Sequence, residues 1–355
     1  MDRGVAKDAE RRVKRFAHNR RMTKALQDIA FSMLDLVPVR EGRLVADALA
    51  VALATARHVE RLGFVRYWMA EHHNMIGIAS SATAVLVGHI AGGTERIRVG
   101  SGGVMLPNHA PLVVAEAFGT LAELYPGRID LGLGRAPGTD GPTMRALRRD
   151  RVETEEDFPR DVQELQRLLG DDQDGARIIA MPGAGTHVPI WLLGSSLFSA
   201  QLAAHLGLPY AFASHFAPRM LHQALAIYRQ MFKPSATLAK PYAIVGVPVI
   251  AAPTDEEAQL LASSTYQRVL GILTGNRSRL MPPVENFWEQ LDSRAQAAIS
   301  DFLAVGVIGG PETVRQGLQK LADETQADEF MLVSDVYDAD LRLRSLEITA
   351  EARNA

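Results

Sequence analysis

The amino-acid sequence predicts an α/β protein of the (β/α)8 barrel class, with insertions, on three observations. Short apolar runs alternate with longer helical patterns from Ile29 onward, eight of those runs are full-length strands, and the residues suited to chemistry cluster directly after them. A doubly wound open sheet alternates in the same way, but eight is the number that closes a barrel.

Taken in order, Ile29–Leu34 is the first strand, and Leu44–Leu62 is a helix with apolar spacing of three and four, closed by Gly63. Arg66–Ala70 is the second strand, followed by a helix over Ser81–Ala91. The third strand, Ile97–Met105, leads to a helix over Pro111–Leu124 with its proline in the first turn. After the Tyr125-Pro126-Gly127 turn come the strand Arg128–Leu133, a polar loop through Asp157 and a helix over Pro159–Leu169. The strand Pro189–Leu193, the helix Ser196–Leu206, the strand Tyr210–Ser214, the helix Pro218–Phe232 and the strand Tyr242–Ala251 continue the alternation. Thr254-Asp255-Glu256-Glu257 supplies a cap and an acidic first turn to the next helix. Residues 273–304 read as an insertion, and the short run Val305–Ile308, the helix Pro311–Glu324, the strand Glu329–Val333 and the helix Asp340–Ala352 complete the chain.

Bulk properties narrow the function. The chain has 355 residues, 47% hydrophobic and 22% charged, with a net charge of -3, so no overall field gathers nucleic acid or anionic lipid. Zero cysteines exclude disulfides, thiolate metal sites, iron–sulfur clusters and cysteine nucleophiles. The sequence lacks an apolar run long enough to span a bilayer and lacks a signal-peptide hydrophobic region, so a cytoplasmic protein without a membrane partner is expected. Residues 1–27 are crowded with arginine and lysine and are expected to be disordered or loosely helical, with 28–355 forming one barrel domain; Met22 is a plausible alternative start.

Barrel enzymes carry their working residues at the C-terminal ends of strands. After strand two stands Glu71-His72-His73-Asn74, where one histidine can serve as acid, base or hydrogen-bond donor. Adjacent residues on an extended strand face opposite ways, so the two histidines do not suit a shared metal ion, and no metal is expected. Gly102 and Gly103 interrupt a buried strand, which marks a bulge, an unusual peptide or the approach of a flat ligand, against the plainer reading of close strand packing. Gly132-Leu133-Gly134-Arg135-Ala136-Pro137-Gly138 fails the dinucleotide pattern at Pro137, yet Arg135 can clamp a phosphate. Gly194-Ser195-Ser196-Leu197-Phe198-Ser199 opens a helix whose free N–H groups favour an anion, although serines there also serve as plain caps. His89 and Trp68 read as structural.

Together, Ala70-Glu71-His72-His73-Asn74, Val99-Gly100-Ser101-Gly102-Gly103-Val104-Met105-Leu106-Pro107-Asn108-His109-Ala110-Pro111, Tyr125-Pro126-Gly127-Arg128-Ile129-Asp130-Leu131-Gly132-Leu133-Gly134-Arg135 and Trp191-Leu192-Leu193-Gly194-Ser195-Ser196 resemble the bacterial luciferase-like flavin-dependent monooxygenases, in a YhbW-like single-subunit branch. The resemblance runs from Ile29 to the C-terminus. It implies reduced FMN delivered by a separate NAD(P)H:flavin reductase, reaction with O2 through a C4a-peroxyflavin, a small organic substrate and a homodimer. It also implies that His72 is the catalytic histidine, that Arg135, Ser195, Ser196 and Ser199 contact phosphate, and that Gly102 and Gly103 join through a cis peptide under the flavin ring. Ser32 and Ser214 complete the candidate cofactor set. The position of Ser195 is acidic in luciferase, that of Gly134 is a cysteine, and Ser214 replaces a stacking tryptophan, so substrate identity does not transfer. An F420-dependent hydride-transfer enzyme and a flavin-binding protein without turnover are the alternatives.

Overall fold

Parallel pairing closes a barrel in a computed structural model that describes residues 24–136, 140–147, 157–171 and 175–355. Its strands are β1 (Ala30–Asp35), β2 (Arg66–Met69), β3 (Arg98–Met105), β4 (Ile129–Gly134), β5 (Ile190–Gly194), β6 (Tyr210–Phe212), β7 (Ala243–Ala251) and β9 (Glu329–Val333). Each pairs with the next, β9 pairs with both β7 and β1, and β6 pairs with β7. The short β8 (Val307–Gly309) pairs only with the end of β7, outside the closed ring. The eight strands of the ring are the eight expected ones.

Helices α1 (Val45–Arg61), α2 (Thr83–Gly92), α3 (Pro111–Leu124), α4 (Gly141–Leu147), α5 (Phe158–Leu169), α6 (Leu197–Leu206), α7 (Leu221–Met231), α8 (Asp255–Thr274), α9 (Ser293–Phe302), α10 (Pro311–Thr325) and α11 (Ala339–Asn354) follow in order. The main core lies between the helices and the outward-facing strand residues, such as Phe31, Met33, Tyr67, Val99, Leu131 and Phe330. Thr254 caps α8 by accepting from the Glu257 N–H at 3.2 Å. Among the described residues, no helix is long and apolar enough to cross a membrane.

Residues 1–23 lie outside the described residues, and Lys24, within the expected extension, contacts the barrel: its Nζ donates to Ala327 O at 2.9 Å and pairs with Asp328 at 3.0 Å. The 273–304 segment, read as an insertion, packs against the barrel. Leu280 exchanges hydrogen bonds with Val39 and Glu41, and Ile299 and Leu303 join Val269 and Tyr266 in a second small core beside the barrel mouth.

Inside the barrel, a charged layer lies below an apolar one. Arg66 donates to Glu329 Oε1 at 3.0 Å and to Asp130 Oδ2 at 2.8 Å, while Ser32 and Tyr242 also donate to Glu329. Burial alone would lower the Arg66 pKa, but Glu329 and Asp130 outweigh it and raise the value. Leu34, Trp68, Trp191, Ile244 and Met331 form the apolar layer, with the Arg66 guanidinium 4.3 Å from the Trp191 ring. The charged layer plugs one end of the barrel and leaves the other for a site.

Candidate active site

At the C-terminal mouth, the ends of the strands enclose a cavity of about 420 Å3. Its floor includes Gly102 and Gly103, which are joined by a cis peptide where the β3–β4 register shifts between Ser101 and Val104. A Cβ on Gly103 would lie 2.7 Å from Gly132 O, and one on Gly102 would lie 2.6 Å from Leu34 Cδ1 and 3.1 Å from Trp68 Cβ. Close packing and an open floor are therefore both true of this pair. At either position a side chain would collide with these neighbours, so only glycine lets the backbone itself line the cavity here.

Seven of the nine candidates line this cavity: His72, Gly102, Gly103, Arg135, Ser195, Ser196 and Ser199. Ser32 and Ser214 do not, and both are corrected. Ser32 faces the barrel interior one layer too low, two residues before Leu34, where it donates to Glu329 and accepts from the Arg66 N–H at 3.0 Å. Ser214 is buried beyond the end of β6 and donates to Gly246 O at 2.7 Å, tying the β6 end to β7. Trp68 is barrel wall, as expected, fully buried in the apolar layer. Its Nε1 donates to Asp130 at 3.1 Å, and the ring reaches the cavity beneath Gly102. His89 is exposed on α2, and Arg145 is exposed away from the cavity.

One side of the cavity is built for an anion. Ser196 is the N-cap of α6, yet its side chain makes no capping hydrogen bond, which departs from the plain-cap reading. Ser199 Oγ donates back to Ser196 O at 2.9 Å, and a Cβ at Gly194 would lie 2.5 Å from that hydroxyl, so only glycine leaves it room. The Arg135 guanidinium lies 4.5 Å from the Phe198 ring, which holds a cation beside the same helix start. Free N–H groups, hydroxyls and a guanidinium converge there, the donor set that a phosphate monoester requires.

The β2 loop splits its two histidines. His72 lines the cavity, whereas His73 turns to Glu71, whose Oε1 also meets His109. Nε2 of His73 is 3.0 Å and Nε2 of His109 is 2.7 Å from that oxygen, so a buried carboxylate links the loops after β2 and β3. Alternation explains the split, but the partnership with His109, 38 residues away, was invisible in the sequence. Glu71, His73 and His109 have the make-up of a metal-binding group, their ligand atoms lying within 4.8 Å of one another, and the shared carboxylate oxygen accounts for the arrangement by hydrogen bonding.

His215, after β6, is a lining residue that sequence reasoning left out of the site. Burial first, then Arg268 and His72, push its pKa down to about 4, so the ring is neutral at pH 7. Because the folded value lies below the unfolded one, the associated stability is complete above the ordinary histidine pKa of 6.5 and is lost as pH falls from there toward 4. A proton NMR titration should find the His215 ring unprotonated at pH 5.5; a midpoint at or above 6.5 would refute this environment.

A closed parallel barrel with a cavity of this make-up at its C-terminal mouth defines a (β/α)8-barrel enzyme. Residues 29–329 match the luciferase-like monooxygenase family, and the chain belongs to it. A luciferase-like monooxygenase of Escherichia coli (strain K12) is 50% identical over 325 residues, 92% of this chain and 97% of that protein. Among solved structures, apo-MsnO8 is 38% identical with a TM-score of 0.81, covering 91% of this chain and 98% of that one. The oxygenating constituent of 3,6-diketocamphane monooxygenase from Pseudomonas putida, in complex with FMN, shares the fold at 16% identity and a TM-score of 0.68, covering 91% and 97%. The protein is therefore an oxidoreductase of the monooxygenase type.

Proposed function

We propose that the chain oxygenates a small organic substrate with reduced FMN and O2. The observation that carries this reading is one cavity with an anion-ready helix start at one side, a floor free of side chains in the middle and His72 within the same walls. Reduced FMN, when bound, supplies the electrons that activate O2. Arg135, Ser195, Ser196 and Ser199 would hold its phosphate, and Gly102 and Gly103 would lie against its ring. His72 would give or take a proton beside the ring, and apolar neighbours such as Leu193, Ile244 and Met331 keep water out. The reading includes a separate NAD(P)H:flavin reductase as electron donor, a homodimer and a cytoplasmic setting, which suits a chain without cysteine.

Titration with FMN and F420, each oxidised and reduced, followed by fluorescence quenching tests the cofactor. FMN should bind with a Kd well below about 1 mM. Binding of F420 alone, or of neither cofactor, would overturn the reading.

A further inference from the structure

Across the barrel from the Gly102–Gly103 floor, β7, β9 and α8 supply the opposite wall of the cavity. Ile244, Pro248, Val269, Ile272 and Val333 make this wall apolar, and one charged pair is set into it. Arg268 Nη1 lies 2.5 Å from Asp335 Oδ2, and the two side chains are 21% and 13% exposed. Nη1 is buried against that carboxylate, and no further hydrogen bond joins Arg268 to another described residue. Asp335 therefore balances the charge through Nη1, which leaves Nε and Nη2 of Arg268 with no hydrogen-bond partner among the described residues. Thr265, one turn earlier on α8, also lines the cavity, and its buried Oγ1 has no hydrogen-bond partner among the described residues.

Donors left unpaired in an apolar wall cost stability until an acceptor meets them. Arg277, exposed and with its Nη1 3.6 Å from Met75 Sδ, adds a second guanidinium to the cavity lining, and the acceptor that suits the remaining donors of Arg268 is anionic. We propose that Arg268, braced by Asp335 and assisted by Thr265, is the anchor of a substrate subsite, and that the substrate is an apolar molecule ending in a carboxylate. The assignment rests on the flavin reading for its orientation: a ring against Gly102 and Gly103 would face this wall, with the apolar part of the substrate between them.

Calorimetric binding of hexanoate and octanoate, each against its primary amide, tests the proposal on the full chain with and without FMN. The acids should bind about 10- to 100-fold more tightly than the amides, the worth of one or two charge-assisted hydrogen bonds. Arg268→Met should abolish that preference while FMN affinity is unchanged. The double variant Arg268→Met/Asp335→Asn should abolish it as well, without leaving a lone carboxylate in the wall. Equal affinities for acid and amide, no binding of either, or a preference that persists in the double variant would overturn the anchor. If FMN fails to bind while the acid preference holds, the cofactor reading falls and the anionic subsite stands.

Discussion

Replacing His72 with alanine will lower turnover by about 10²- to 10⁴-fold, the range of a lost general acid or base, while FMN affinity stays the same. The separation follows from the layout. His72 enters the cavity from the loop after β2, whereas the phosphate-binding groups proposed above come from the ends of β4 and β5 and the start of α6. Glu71 and its two histidines hold that loop from behind, so the alanine variant should keep its backbone position. Steady-state turnover together with equilibrium flavin binding checks the prediction. Full turnover with intact flavin affinity would remove the proposed role, and joint loss of both would recast His72 as a binding residue.

Replacing Arg342 with methionine will destabilise the fold by about 3–5 kcal/mol, read as a fall in the urea midpoint, because the carboxylate of Asp35 is left buried without its partner. Arg342 is 1% exposed; its Nη2 donates to Asp35 Oδ1 at 3.0 Å and its Nε to Ser334 O at 2.9 Å. Tyr67 and the Val37 N–H also donate to Asp35. Burial would raise the Asp35 pKa, but Arg342, Tyr67 and Val37 together hold it below 3.8. The pair's contribution is therefore complete above the unfolded carboxylate pKa and is lost as pH falls through the folded one. The double variant Asp35→Leu/Arg342→Met should recover most of the loss, since no charge is then left buried. A single variant as stable as the parent would show that the ion pair contributes nothing.

The barrel was legible because its strands are short apolar runs with a strong local signal. Even the outlying Val307–Gly309 was set apart by its length, and Pro111–Leu124 and Glu329–Val333 match to the residue. At the site, legibility followed the backbone. Gly102, Gly103, Arg135 and the serines before α6 are tied to strand ends and a helix start, and strand ends converge once a barrel closes. Ser32 and Ser214 were misplaced because depth along the barrel axis depends on stagger between strands, which a single strand does not encode. Trp68 was read as wall, since no local pattern tells a ring in the barrel's apolar layer from one that also meets the cavity.

The sequence by itself determined the strand count, the order of elements and the loops that carry the chemistry, because periodicity, caps and glycines act over a few residues. Only the tertiary structure decided which of those groups meet. Glu71 with His109, Arg268 with Asp335 and Asp35 with Arg342 are 38, 67 and 307 residues apart. Strand pairing brings the loops of Glu71 and His109 together, closure of β1 on β9 brings Arg342 to Asp35, and the barrel buries these charges where an unpaired partner is costly.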